Sequence, residues 1–95
     1  MKQNKAPSDK SWIVYILLCG DKSLYTGATN DVGKRLAAHS QGSASRYTRS
    51  RLPVKLLAAS AKMSKGDALS LESKIKKLPR KKKIAALKLE TSKDI

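Results

Sequence analysis

The chain has 95 residues, enough for one small domain that buries about two thirds of its unfolded surface, which leaves no room for a second folded module. Lysine and arginine number 21 against 7 aspartate and glutamate residues, and the net charge of +14 predicts a polyanionic partner, with nucleic acid ahead of an acidic membrane surface. The single cysteine, Cys19, excludes an internal disulfide, and no cluster of cysteine and histidine has the spacing of a zinc site.

The N-terminal segment MKQNKAPSDK is polar where a secretory signal would need an apolar run. We therefore expect a disordered polar tail over residues 1–10. The apolar run WIVYILL that follows is too short to cross a bilayer. These features predict a cytoplasmic protein without a membrane segment and without a disulfide-linked partner.

Two strands are predicted next. Residues 12–18 are apolar without a break and rich in β-branched and aromatic side chains, which is typical of a strand buried on both faces. The turn sequence CGDKS and the β-prone segment 24–29 complete an antiparallel hairpin. A turn centred near Asp21 places Tyr15 and Tyr25 on the same face of this hairpin, diagonal to one another.

A helix and a basic segment follow the hairpin. Asn30 or Asp31 can cap a helix that runs to about Ser40, and Arg35 and His39 lie four positions apart and therefore on one helical face. The next segment, SQGSASRYTRSR, mixes small polar residues with arginines and lacks apolar periodicity. We expect it to be an irregular basic loop.

The last third of the chain predicts one strand and two helices. Residues 54–61 form the strand, and residues 64–78 carry apolar side chains at helical spacing. Pro79 ends this helix and can occupy the first turn of another over residues 80–89. The predicted order of elements is ββαβαα, an α+β fold.

Basic residues concentrate in the loop and in the segment 74–83, which holds seven lysines and arginines and no acid. A solvated helix face accounts for some of them, while the whole set predicts a surface that follows phosphates with little sequence preference. Tyr47 in the loop either stacks on a base or sugar or is simply exposed. The predicted nucleic-acid-binding residues are Arg46, Tyr47, Arg49, Arg51, Lys74, Lys76, Lys77, Arg80, Lys81, Lys82 and Lys83.

Five residues stand in an order that amphipathic patterning does not require: Tyr15 at the end of IVY, Tyr25 at the start of YTG, then Arg35, His39 and Glu72. In this order they resemble the GIY-YIG nuclease superfamily over about residues 12–89. Within it the chain is most similar to the stand-alone, single-domain bacterial proteins of the YhbQ-like branch, and more distantly to the nuclease domain of the Slx structure-selective endonuclease.

The resemblance implies a domain over residues 11–90 with a three-stranded mixed sheet flanked by helices, a short tail at residues 91–95, and metal-dependent cleavage of a phosphodiester. Tyr15 and Tyr25 would bind or activate the attacking water. Arg35 would hold the scissile phosphate, with help from His39. Glu72 would ligate one Mg²⁺ or Mn²⁺ ion.

Three details qualify these roles. Gly27 would allow backbone or substrate to approach closely at the end of the second strand. The first motif reads Ile13-Val14-Tyr15 without a glycine, and no asparagine follows Glu72 where several family nucleases have one. Glu72, a lone carboxylate among cations, is either a metal ligand or a salt-bridge partner.

The leading hypothesis is an endonuclease acting on DNA, with branched or flapped DNA in repair or recombination indicated by family analogy. The alternative is a nucleic-acid-binding module on the same fold that cuts slowly or not at all. A third interpretation is a small basic ribosome- or nucleoid-associated protein, which leaves the tyrosine pair and Glu72 unexplained.

Overall fold

The computed structural model describes residues 10–92. The predicted α+β fold and its order ββαβαα are confirmed, with one additional helical turn. Most of the two predicted tails, residues 1–9 and 93–95, lies outside the described residues. The strands are β1 (Ile13–Leu18), β2 (Leu24–Thr29) and β3 (Lys55–Ala59), and the helices are α1 (Val32–Ser40), α2 (Arg46–Arg49), α3 (Lys65–Lys76) and α4 (Arg80–Ser92).

The three strands form a sheet in the order β2-β1-β3, and both neighbours run antiparallel to β1. The prediction of a mixed sheet is therefore wrong. β2 and β3 do point in the same direction, but the central strand separates them, so no parallel pair forms. Tyr15 lies opposite Gly27 and Leu17 lies opposite Tyr25, which is the diagonal arrangement of tyrosines that the hairpin predicts.

The central strand β1 is buried on both faces, as predicted, because it is covered by β2 and β3 at its edges and by helices. Side chains alternate along a strand. Val14 and Ile16, both 0% exposed, contribute to an apolar core completed by Ala68, Ile75 and Leu87 from α3 and α4. The alternate residue Tyr15, 1% exposed, is directed to the opposite face.

The helix starts follow the capping residues in the sequence. The Asp31 side chain accepts a hydrogen bond from the Lys34 amide at 3.0 Å at the start of α1, and Ser64 caps α3 in the same way. At the other end of α3, the Lys83 ammonium donates to the carbonyl oxygens of Ile75 and Lys76 at 2.9 and 3.0 Å. This cation satisfies carbonyls that a helix C-terminus leaves free.

The segment predicted to be an irregular loop contains the short helix α2. Ser45 is its N-cap, and its hydroxyl accepts a hydrogen bond from the Thr48 amide at 3.1 Å. Arg46 and Arg49 are exposed while Thr48 is fully buried. The prediction failed because one buried threonine, rather than an apolar stripe, holds this turn against the rest of the domain.

Candidate active site

Two tyrosines of the hairpin meet on the face of the sheet opposite the apolar core. The ring centroids of Tyr15 and Tyr25 are 6.5 Å apart. Tyr15 is almost fully buried and Tyr25 is half-buried, so only the second ring reaches the surface. The two phenols that the sequence pattern pairs do therefore lie together in the structure.

Gly27 makes room for the first of these rings. It lies directly opposite Tyr15, and a Cβ atom at Gly27 would be 2.5 Å from the Tyr15 hydroxyl oxygen and 2.6 Å from the ring carbon that bears it. Any larger residue would displace the ring. The sequence predicted that backbone or substrate would approach this glycine, whereas in the structure the Tyr15 side chain occupies that space.

His39 comes from α1, and its ring packs against both tyrosine rings, with centroid distances of 5.9 Å to Tyr15 and 5.1 Å to Tyr25. Its side chain is 0% exposed, and its Nε2 lies 3.0 Å from the Tyr15 hydroxyl oxygen. Arg35, one helical turn earlier, is exposed. The four-residue spacing therefore places His39 inside the site and Arg35 at its solvent-exposed edge.

Thr48 is a site residue that the sequence interpretation missed. Its Oγ1 lies 2.8 Å from His39 Nδ1 and 3.0 Å from the Ser45 hydroxyl. The missed signal is Ser45, a residue type preferred at helix N-caps. Recognising that cap would have predicted a helical turn here, although not which of its side chains is buried.

The ionisation of the two buried groups depends on this packing. Burial, followed by the effect of Tyr25, raises the pKa of Tyr15 far above its ordinary value, although Arg35 acts to lower it and Glu72 to raise it. Burial, followed by the charge of Arg35, lowers the pKa of His39. At neutral pH, Tyr15 therefore keeps its proton and His39 is neutral. Neighbouring cations do not generate a phenolate at Tyr15, because desolvation outweighs Arg35.

Arg35 from α1 and Glu72 from α3 both affect the pKa of Tyr15, Arg35 by lowering it and Glu72, to the smallest extent, by raising it. The Glu72 side chain is 19% exposed, and one of its carboxylate oxygens lies 3.0 Å from the Lys76 ammonium. Among the described residues, no three histidines, cysteines or acids are grouped closely enough to hold a metal by themselves. Any ion held by Glu72 would need its other ligands from water or substrate.

The basic loop connects to the site through aromatic stacking. The Tyr47 ring lies 5.9 Å from the Tyr25 ring, and the Arg51 guanidinium lies 3.9 Å from the Tyr47 centroid. Arg51 also pairs with Asp21 in the β1–β2 turn at 2.9 Å. Tyr47 is 37% exposed but already has partners, so its ring serves first as a support for Arg51.

The β1–β2 turn also meets the second basic segment. Arg80, at the start of α4, donates a hydrogen bond to the carbonyl oxygen of Lys22. Lys22 has a φ of 72°, in the left-handed region that tight turns use. The two basic segments are therefore joined through one turn. The predicted basic residues that are exposed are Arg46, Arg49, Lys74, Lys76, Lys77, Arg80, Lys81 and Lys82.

Three comparisons with known proteins agree on one family. Residues 11–85 match the model of the GIY-YIG catalytic domain. The UPF0213 protein YsiG of Lactococcus lactis is 48% identical over 84 residues, covering 87% of this chain and 81% of that protein. A UPF0213 protein of Nitratidesulfovibrio vulgaris is 41% identical over 84% of this chain and 73% of that protein. The solution NMR structure of a UPF0213 protein from Bacillus halodurans is 42% identical with a TM-score of 0.52, covering 84% of this chain and 85% of that one.

Proposed function

Because the chain belongs to the GIY-YIG family, we propose that it is a metal-dependent endonuclease that hydrolyses phosphodiester bonds in DNA. The observation that carries the proposal is the buried hydrogen bond between Tyr15 and His39, with Tyr25 packed on the imidazole and the charges of Arg35 and Glu72 acting on the same hydroxyl. Stability alone does not explain a buried polar cluster in this basic domain, because apolar side chains of similar size would stabilise the fold at least as well.

Tyr15 and Tyr25 bind the attacking water. The Tyr15 hydroxyl keeps its proton, so it acts by accepting and donating hydrogen bonds rather than as a free phenolate. Tyr25 is half-buried and lies where water and substrate can reach it. Two hydroxyls on one face hold a water in a defined position, which lowers the entropic cost of the reaction.

Arg35 binds the scissile phosphate. Its guanidinium is a planar fork that pairs with two phosphate oxygens, and its position at the surface leaves it open to substrate. It lines a cavity of about 270 Å³ together with Asn30, Asp31 and Lys34. Fixed positive charge at that point stabilises the charge that accumulates on the non-bridging oxygens during hydrolysis.

Glu72 holds a single Mg²⁺ or Mn²⁺ ion. One carboxylate is enough for such a site because Mg²⁺ keeps several waters and takes further ligands from substrate phosphate. When bound, the ion supplies positive charge to the phosphate and the leaving oxygen. The Glu72 carboxylate is partly buried and pairs with the exposed Lys76 ammonium, and it can exchange that partner for a metal.

The exposed lysines and arginines of the two basic segments bind the DNA backbone, which accounts for most of the affinity. We expect the protein to act in the cytoplasm on DNA. Family analogy favours branched or flapped structures that arise in repair and recombination.

A nucleic-acid-binding module that does not cut is the second candidate. The observation in its favour is the ion pair between Glu72 and Lys76, which gives the carboxylate a partner without any metal. The missing asparagine after Glu72 points the same way.

One assay separates the two. Labelled linear, flap and junction DNA is incubated with the protein and Mg²⁺ or Mn²⁺ under single-turnover conditions, and again with chelator. Products that require metal support the nuclease. Tight binding of all three substrates without products would support the module and contradict the nuclease.

A further inference from the structure

A line of hydrogen bonds leads from Tyr15 through His39 into α2. His39 Nε2 is 3.0 Å from the Tyr15 hydroxyl, His39 Nδ1 is 2.8 Å from Thr48 Oγ1, and Thr48 Oγ1 is 3.0 Å from Ser45 Oγ. Tyr15, His39 and Thr48 are each at most 1% exposed, whereas Ser45 is half-buried at the outer end. A neutral imidazole carries one proton, so the line can run in only two directions.

In the first direction, His39 is protonated at Nε2 and donates to the Tyr15 oxygen. The Tyr15 proton then has no acceptor in the protein, because His39 is the only hydrogen-bond partner of that hydroxyl among the described residues, and only a bound water can accept it. A buried donor that no protein group satisfies is costly whenever that water is absent.

In the second direction, every buried donor is satisfied. The Tyr15 hydroxyl donates to His39 Nε2, the His39 Nδ1–H donates to Thr48 Oγ1, and the Thr48 hydroxyl donates to Ser45 Oγ. Ser45 directs its own proton outward, where water can accept it. The alternative acceptor for Thr48, the Ser45 carbonyl oxygen, is 3.5 Å away and contributes little.

We propose that Thr48 is a positioning residue that holds neutral His39 in the tautomer protonated at Nδ1 and keeps the Nε2 lone pair on the Tyr15 hydroxyl. Thr48 lies behind the imidazole and acts through it. The groups that face His39 are Tyr15 from β1, Tyr25 from β2 and Arg35 from α1, and none of them contacts Nδ1 in the described residues.

The tautomer matters for the chemistry. While Tyr15 donates to His39, both lone pairs of its oxygen stay available to accept a hydrogen bond from the attacking water. In the opposite tautomer, one lone pair is already taken by His39, and the hydroxyl presents a proton to the water instead. The consequence for cleavage rests on the proposed nuclease function, whereas the tautomer itself does not.

The direct test is ¹⁵N NMR of the imidazole in the full chain, which is unambiguous because His39 is the sole histidine. Spectra at about pH 8, above the ordinary histidine pKa of about 6.5, report the neutral ring. We expect a protonated Nδ1 and an unprotonated Nε2. A wild-type spectrum with Nε2 protonated would overturn the proposal without any variant.

Thr48→Val, which removes the hydroxyl and keeps the shape, should move the neutral ring toward the Nε2-protonated tautomer because Nδ1 loses its acceptor. Single-turnover cleavage should fall by about 10- to 100-fold, the range typical of losing an outer hydrogen-bond partner of a functional histidine. Thr48→Ser should restore both. Thr26→Val, at a buried threonine of β2 outside the line, is the matched control and should change neither.

The outcomes are distinguishable. An unchanged tautomer and rate in a folded Thr48→Val protein would refute the role of Thr48. If Thr48→Val does not fold, the wild-type spectrum and Thr48→Ser decide the question. If the wild-type protein shows the expected tautomer but cuts no DNA, the nuclease assignment fails while the positioning of His39 by Thr48 stands.

Discussion

The two faces of β1 are equally buried, yet they are held in different ways. On one face, Val14 and Ile16 pack against apolar side chains of α3 and α4. On the other, Tyr15 is buried against His39, and its polar atom has a hydrogen-bond partner. The first face is stabilised by the removal of apolar surface from water, which has no preferred direction. The second depends on directed contacts between groups that can bind water and exchange protons.

The difference teaches that burial alone does not identify a core. Tyr15 and Ile16 are adjacent and similarly buried, but only Tyr15 lies beside groups whose pKa values are shifted by their surroundings. Changes on the core face should therefore reduce stability without altering chemistry, and changes on the site face should do the reverse. The helix α3 contributes to both, since Ala68 and Ile75 belong to the core and Glu72 acts on Tyr15.

The largest effect is expected for Glu72→Gln, which tests whether α3 really serves both faces. Loss of a hard anionic ligand should reduce Mg²⁺-dependent cleavage to background, because metal stabilisation of the transition state contributes several kcal/mol. DNA binding measured without metal should be equal or slightly tighter, since the net charge rises by one. The measurements are a single-turnover rate, a metal-free binding isotherm and a melting curve.

Asp67→Asn is the matched control for Glu72→Gln, because it removes one negative charge from the first turn of the same helix. It should leave the rate unchanged. If Glu72→Gln also leaves the rate unchanged and costs only about 0.5 kcal/mol of stability, Glu72 is merely the partner of Lys76. A joint loss of rate, affinity and melting temperature would indicate a folding defect.

Tyr15→Phe should have the next largest effect. The ring keeps its packing over Gly27 but can no longer hydrogen-bond to His39 or to the attacking water. We expect cleavage to slow by about 10²- to 10⁴-fold, as for the loss of a general acid–base or water-positioning group. Tyr25→Phe should act in the same direction. If both variants cleave at the wild-type rate with saturating substrate, the tyrosines serve only in packing, and the two faces of β1 do not differ in function.

Ile16→Ala is the corresponding test on the core face. Truncation of a fully buried isoleucine should lower the free energy of unfolding by about 2–5 kcal/mol through lost transfer free energy and a residual cavity. The cleavage rate per folded molecule should remain that of the wild type. Chemical denaturation measures the first quantity, and single-turnover assays at low temperature measure the second. Leu69→Ala, at a 46% exposed leucine of α3, should be nearly neutral in both.

The basic surface should respond to charge in a graded way. Wild-type affinity for DNA should fall steeply with salt, and replacing Lys81 and Lys82 by glutamine should reduce the slope of log K against log [salt] by about two, since each phosphate contact contributes about 0.9. Compared with the change at Lys81 and Lys82, Lys83→Gln should weaken DNA binding less and lower stability more, because the Lys83 ammonium already donates hydrogen bonds to the C-terminal carbonyl groups of α3. Titrations at four salt concentrations test this. A flat salt dependence would rule out phosphate contacts as the source of affinity.

The smallest effect concerns pH and touches the site face alone. Burial holds the pKa of His39 below its ordinary value, so the unfolded chain binds a proton first as pH falls. Stability contributed by neutral His39 is therefore present above about pH 6.5 and is lost as pH drops through the lower folded-state value, by at most about 1.4 kcal/mol per pH unit. Asp21, whose pKa is lowered chiefly by hydrogen bonds from Ser23, titrates in a more acidic window.

His39→Gln should abolish the histidine contribution to the slope of stability below about pH 6.5, because it removes the sole histidine. Urea denaturation at intervals of half a pH unit measures the slope in both proteins. A slope that persists unchanged in His39→Gln would contradict the burial of a neutral imidazole.

Local sequence determined much of the fold. The alternation of side-chain direction along a strand and the turn at Asp21 were enough to place Tyr15 and Tyr25 diagonally on one face. Asp31, one of the two predicted caps, fixed the start of α1. These predictions succeeded because the physical causes, side-chain alternation and satisfaction of free amides, act over a few residues.

The tertiary structure decided the contacts between distant segments. The antiparallel pairing of β3 with β1 and the ion pair of Arg51 with Asp21 join residues some 30 or more positions apart. The burial of Thr48 against His39 depends in turn on how α2 packs beside α1. The sequence of residues 45–48 does not predict the hydrogen-bond partners of the Ser45 and Thr48 hydroxyl groups. A polar side chain is buried only where another element offers a complementary hydrogen-bonding atom. The sequence therefore identified the two tyrosines and the histidine, whereas only the tertiary packing showed that Thr48 is the hydrogen-bond partner of His39.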